Sequence, residues 1–216
     1  MVWLYAISAA KGMVDTASAT PVAHALAPLP QLIGRVAVLG GSSADKSQLL
    51  VSLALRQVRQ QGVVLCLDGR RQKTTEVQFR LLLRGAQSYM ALPPSGEAPP
   101  EVERMALSML SRGLPKQPAL LLLDAVHETP AWERTLAFLL KAGVVIVELL
   151  TEASELVFGR YDSVLLLRAD QNAAEAYSKA VGRRVSPQDI YTLPPGEGIL
   201  IHLTRVQRVR APAVHE

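Results

Sequence analysis

The residues best able to do chemistry follow an aliphatic run, Val36-Ala37-Val38-Leu39, and read Gly40-Gly41-Ser42-Ser43-Ala44-Asp45-Lys46-Ser47 before the apolar face of a helix begins. Glycines after a buried strand, then Lys-Ser opening a helix, are the parts of a phosphate-binding loop. Backbone N–H groups and the positive helix end face phosphate oxygens, Lys46 reaches the outer phosphates, and the Ser47 hydroxyl ligates Mg²⁺. The spacing fits GxxxxGK(S/T) with one departure, because Asp45 stands at the second glycine. A carboxylate there repels phosphate: at roughly 4 Å and an effective dielectric of about 20, one like charge costs about 4 kcal/mol, less where solvent or metal screens it. The alternative makes Asp45 a helix N-cap, ion-paired with a neighbour, so that the loop keeps its shape without a ligand.

A second carboxylate belongs to the same chemistry. Leu120-Leu121-Leu122-Leu123 closes on Asp124, the form of a buried strand whose terminal acid orders Mg²⁺ through water. A glutamate beside it would polarise the attacking water, but Ala125 fills that position. Glu128 is the nearest replacement, and it serves equally as a cap for the following helix. The two departures point the same way, to weak or absent hydrolysis. Other chemistries find less support. His24, His127, His202 and His215 lack ligand spacing, and Cys66 has no neighbouring partner, which argues against structural zinc. Asp68 suits the ribose of a dinucleotide, but the spaced glycines of that fingerprint are missing. Ser42 and Ser43 lack a GxSxG elbow.

The elements that must position these residues follow from periodicity. Apolar runs at 63–67, 119–123, 144–149 and 164–167 read as buried strands, with a short strand at 88–92 and final strands at 199–203 and 206–209. Between them, helical spacing appears in Leu50, Leu53, Ala54 and Val58; at 79–83; in Val102, Met105, Ala106, Met109 and Leu110; in Trp132, Thr135, Leu136, Leu139 and Leu140; and at 173–181. Strands alternating with helices predict an α/β fold, a mostly parallel sheet with helices on both faces. Residues 16–30, rich in Ala, Thr and Pro, read as a linker, giving an N-terminal segment 1–33, one domain over 34–211 and a tail 212–216. Residues 1–10 are apolar but too short to span a bilayer and carry no positive leader, so no integral membrane segment is expected. The single cysteine points to a reducing, cytoplasmic compartment. A net charge of +4 permits contact with nucleic acid or an acidic surface without establishing it.

The order of these motifs resembles the HerA and FtsK superfamily of P-loop ATPases, including TraG-type coupling proteins and conjugation ATPases. Asp68-Gly69-Arg70-Arg71 is similar to the family's Asp-Pro-Lys/His-Gly turn, Asp124-Ala125-Val126-His127 to its Asp-Glu-Ala-His, and Leu150-Thr151-Glu152 to a sensor strand ending in Thr-Gln. Residues 161–168 and Leu193-Pro194-Pro195-Gly196-Glu197-Gly198 resemble the closing part of such domains. The resemblance covers about residues 30 to 210, with no motif intact. It implies a RecA-like P-loop NTPase fold of the ASCE type, with an extra strand between the phosphate-loop and metal strands. It also implies ATP and Mg²⁺ as cofactors, Glu152 as sensor, and a ring-shaped homo-oligomer or a partner motor subunit moving DNA. Arg160 is then the candidate arginine completing a neighbour's site, or else a surface ion pair, and Arg70, Arg71 and Lys73 a DNA-facing loop, or else a solvated turn.

Overall fold

The structure, a computed structural model, describes residues 23–60, 62–68, 88–91, 119–124, 130–157 and 159–210. Its strands are β1 (Ala23–Pro28), β2 (Arg35–Leu39), β3 (Val63–Asp68), β4 (Ser88–Ala91), β5 (Ala119–Asp124), β6 (Val145–Leu149), β7 (Ser163–Leu167), β8 (Glu197–His202) and β9 (Arg205–Arg210). The helices among the described residues are α1 (Ser43–Arg59), α2 (Pro130–Lys141), α3 (Gln171–Ala180) and the short α4 (Pro187–Tyr191). The strands form one sheet in the order β1-β9-β8-β7-β2-β6-β5-β3-β4. Neighbours are parallel except at β7–β8 and β8–β9, so β8 alone runs against the rest.

Burial explains why the central strands are aliphatic throughout. Every residue of β2 and β5 is buried, as a parallel strand covered on both faces requires. On one face Val36 and Val38 pack with Leu49, Leu50 and Leu53 of α1 and with Leu120 and Leu122. On the other, Ala37 and Leu39 pack with Ala174, Tyr177 and Ile190 of α3 and α4. Helices thus cover both faces, and β6 lies between β2 and β5 as the inserted strand that the resemblance implies.

Two sequence expectations need correction. The stretch read as a linker carries β1, which pairs in parallel with β9, and Leu29 and Leu32 behind it are buried. An Ala- and Pro-rich edge strand lacks the aliphatic run that marks central strands, and Pro is tolerated at such an edge. Arg56 of α1 secures the segment by donating to the carbonyls of Leu29 and Pro30 at 2.8 and 3.0 Å, so the sheet begins at Ala23 rather than Gly34. The second omission is α4. The helices expected at 79–83 and 102–110, and the residues Arg70, Arg71, Lys73, Ala125, His127 and Glu128, lie outside the described residues.

Candidate functional site

The parallel strands deliver their carboxyl ends to one edge of the sheet. Register places Val38 beside Leu149, and Leu149 beside Asp124, which is in turn level with Asp68. The loop between β2 and α1 sits in the gap between the segments leaving β6 and β7, where ligands of open α/β sheets bind. Gly40 and Gly41 have φ of +82° and +73°. At Gly40 a Cβ would collide with the Leu167 carbonyl oxygen, so both backbone conformation and close approach demand glycine there.

The loop is short, and four of its amides are bound within its own chain. Helix α1 starts at Ser43, which puts Asp45 and Lys46 in its first turn. Asp45 Oδ2 accepts from the Ser42 amide at 2.8 Å and from the Ser42 hydroxyl at 2.7 Å, while Ser42 Oγ accepts from the Asp45 amide at 3.1 Å. That reciprocal pattern is a capping box, with Ser42 the N-cap and Asp45 the third helical residue. The expected capping role of Asp45 is therefore corrected in detail: it closes back on Ser42 instead of capping alone, since only position three of the helix can reach the N-cap amide. The Gly41 amide donates to the Arg168 carbonyl at 2.6 Å, and the Lys46 amide to the Ser42 carbonyl at 3.1 Å. Tyr177 of α3 packs in the same buried cluster as Leu39, the residue before Gly40. Burial, with the charges of Asp170, Glu155 and Glu152, pushes the Tyr177 phenol above its usual range, so the group stays neutral.

Lys46 is buried, and its Nζ donates to the Leu150 carbonyl just beyond β6 at 2.8 Å. Asp124, also buried, shares the sheet face of Leu120 and Leu122, the face that α1 covers. The structure thus brings Gly40, Asp45, Lys46 and Asp124 to one edge; Ser43 and Ala44 lie in the first turn of α1, and Ser47 follows as its fifth residue. Glu152 stays exposed and accepts from the Ser154 hydroxyl at 3.1 Å. Arg160 is drawn to Glu133 of α2 in its own chain. Burial and the nearby Arg35 lower its pKa. A cavity of about 400 Å³ opens beside the loop, lined by Asp45, Gln48, Leu167, Arg168, Pro194 and Arg210 among others. As arranged, the amides of Gly41, Ser42, Asp45 and Lys46 have acceptors within the chain. Sequence reasoning missed the parts played by Tyr177, Leu150 and Arg168, because a tyrosine on an apolar helix stripe and two backbone carbonyls leave no polar signature.

No family model matches the chain, and no curated protein matches it significantly. Solved structures do. B204, the DNA-packaging ATPase from Sulfolobus turreted icosahedral virus, superposes with a TM-score of 0.64 at 12% identity, covering 84% of this chain and 98% of that one. The chain has the α/β fold of this ATPase. The genome-packaging NTPase B204 from Sulfolobus turreted icosahedral virus 2, in complex with AMP, gives a TM-score of 0.60 at 13% identity over 84% of this chain and 98% of that one. Its complex with ATP-gammaS gives 0.57 at 12% over the same shares. The bacterial conjugative coupling protein TrwB overlaps only in part, with a TM-score of 0.42 at 16% identity over 61% of this chain and 42% of that one. Among the described residues no helix is long and apolar enough to cross a membrane, and no group of three or more His, Cys, Asp or Glu gathers as a metal site.

Proposed function

We propose that this chain is a P-loop ATPase-like relative of DNA-moving motors whose phosphate loop is latched by Asp45, so that ATP and Mg²⁺ bind weakly and turnover is negligible. One observation carries the reading: Asp45 holds the Ser42 amide and hydroxyl at 2.8 and 2.7 Å, where a phosphate-binding loop would present its donors outward. Nucleotide must break that box and then sit beside the displaced carboxylate. Losing such a cap costs about 0.5–2 kcal/mol. Like-charge repulsion adds up to about 4 kcal/mol before screening. From a micromolar reference of about −8 kcal/mol, a combined loss of about 4 kcal/mol leaves millimolar affinity, about −4 kcal/mol. Asp124 and Ser47 are the Mg²⁺ residues in this reading, Lys46 the phosphate ligand after it leaves Leu150, and DNA and further copies of the chain the partners.

A second reading drops nucleotide altogether and makes the chain a non-hydrolysing assembly module. It is favoured by the start of α4, where the Ser186 hydroxyl donates to the Asp189 carboxylate at 2.7 Å and accepts from its amide at 3.1 Å, as Ser42 does with Asp45, in a helix start that follows no glycine-rich loop. Calorimetric titration with ATP and Mg²⁺ separates the two. Weak heat that disappears in Lys46→Ala and strengthens at least tenfold in Asp45→Gly, an estimate scaled from the repulsion above, supports the first. Silence from all three folded proteins supports the second, and micromolar binding by the parent chain overturns both.

A further inference from the structure

Among the described residues, two that are not glycine hold a left-handed backbone, Arg183 at φ 58° and Leu203 at φ 50°. They lie together. Leu203 occupies the turn between β8 and β9, closed by His202 opposite Arg205, and the neighbour of Arg183, Arg184, donates its guanidinium to the Leu203 carbonyl. Leu203 is 70% exposed, the most exposed large apolar residue described. Around it Lys179, Arg183 and Arg205 are all exposed. No described carboxylate pairs with these three, whereas Arg35, Arg160 and Arg208 are each matched by a glutamate. Of the nearby acids, Asp189 is turned into its own helix start by Ser186, and Glu175 lies one turn before Lys179. His202 opposes Ser163 at the beginning of β7, so this tip stands at the end of the sheet opposite the phosphate loop.

We propose that the β8–β9 tip, with Arg183, Arg184 and Arg205 around Leu203, is a contact surface for the phosphate backbone of nucleic acid. Guanidiniums match phosphate oxygens in pairs and keep their charge at any working pH. An aliphatic side chain held out in a costly backbone conformation serves no core, and it suits contact with sugars or a groove wall. Exposed Asn172 and Glu175 line a hollow with Lys179 and Arg183, but contacts to phosphate carry no sequence information, so the binding proposed is independent of sequence. Nothing in this proposal depends on whether the phosphate loop takes nucleotide.

The test is fluorescence polarisation of a labelled mixed-sequence DNA duplex with the full chain. It is run between about 50 and 200 mM salt, the range over which phosphate contacts weaken most visibly. Arg183→Glu/Arg205→Glu is expected to weaken binding by about tenfold or more and to flatten the logarithmic salt dependence by about two, near one for each phosphate no longer neutralised. The control, Arg59→Glu/Lys141→Glu, makes the same charge change at exposed positions on α1 and α2 and is expected to bind like the parent. Equal losses in the two variants would reduce the effect to net charge and overturn the proposal, as would undiminished binding by the tip variant or no binding by the parent. If the tip variant keeps its DNA affinity but no longer self-associates, the surface is a subunit contact and the proposal also falls. Should the charge reversal unfold the chain, Arg205→Ser carries the same test, with the slope changing by about one.

Discussion

Asp45 and Asp189 occupy the same place in two helices, each three residues after a serine whose hydroxyl binds their amide at 3.1 Å. At the scale of the residue, the carboxylate in the phosphate loop is thus explained by ordinary helix capping, with no ligand required. Ser42→Ala and Ser186→Ala are each expected to lower stability by about 1 kcal/mol, and matching shifts in denaturant midpoint would show the two boxes to be energetically alike. A much smaller loss at Ser42 would mean that the loop box is weak and readily opened by phosphate. The S-x-x-D pattern is legible in the sequence at both sites, although a glycine-rich loop ending in Lys-Ser draws attention to phosphate first. What the sequence could not show is where the lysine points, because the acceptor of Lys46 is a backbone carbonyl 104 positions away.

Among the elements, β2, β6 and α2 are tied by a buried charge network. Arg35 donates to Glu148 through Nε at 3.1 Å and Nη2 at 2.9 Å and to Glu133 at 3.2 Å; Tyr161 donates to Glu148 at 2.9 Å, and its ring lies 5.1 Å from the guanidinium. Arg35→Met leaves Glu148 buried against carbon, and a loss of about 3–5 kcal/mol is expected in chemical denaturation; Arg35→Met/Glu148→Leu is expected to recover most of it. A network with a large net worth would show no recovery. The same cluster sets an alkaline limit. Burial and Glu148 push the Tyr161 phenol far above its ordinary value of 10.0, so the native state retains a proton that the unfolded chain releases. Stability is then full below about pH 10 and falls as pH rises beyond it, and Tyr161→Phe should flatten that fall in melting curves. Central strands announced themselves as aliphatic runs because both their faces are covered. The edge strand β1 did not, and α4 escaped because five residues make too short a window for helical periodicity, although its Ser-Pro start was readable.

For the molecule as a whole, the sheet order places β6 between β2 and the strand of Asp124, so that the loop after β2, Asp124 and the end of β6 share one edge. That order emerges only from long-range pairing, and apolar runs alone could fix the number of strands but not their neighbours. The two chemical departures belong to different elements of this edge: Asp45 closes the loop, and Ala125 follows Asp124 where a water-polarising glutamate would stand. Binding and turnover should therefore respond separately. Asp45→Gly opens the donors to phosphate and is expected to raise nucleotide affinity by tenfold or more, scaled from the repulsion removed, while leaving turnover near background. Ala125→Glu alone acts on a site that nucleotide barely occupies. Only Asp45→Gly/Ala125→Glu is expected to release phosphate measurably, by about a hundredfold over either single variant, the usual worth of a positioned general base. Turnover in the double variant would establish that the rest of the edge, Lys46 and Asp124 included, is still a working frame. A tightly binding but inert double variant would place the missing group elsewhere. Arg160 is then the first residue to test, because here it is bound to Glu133 of its own chain, and Arg160→Ala is expected to leave the turnover of the double variant unchanged if no neighbouring copy uses it.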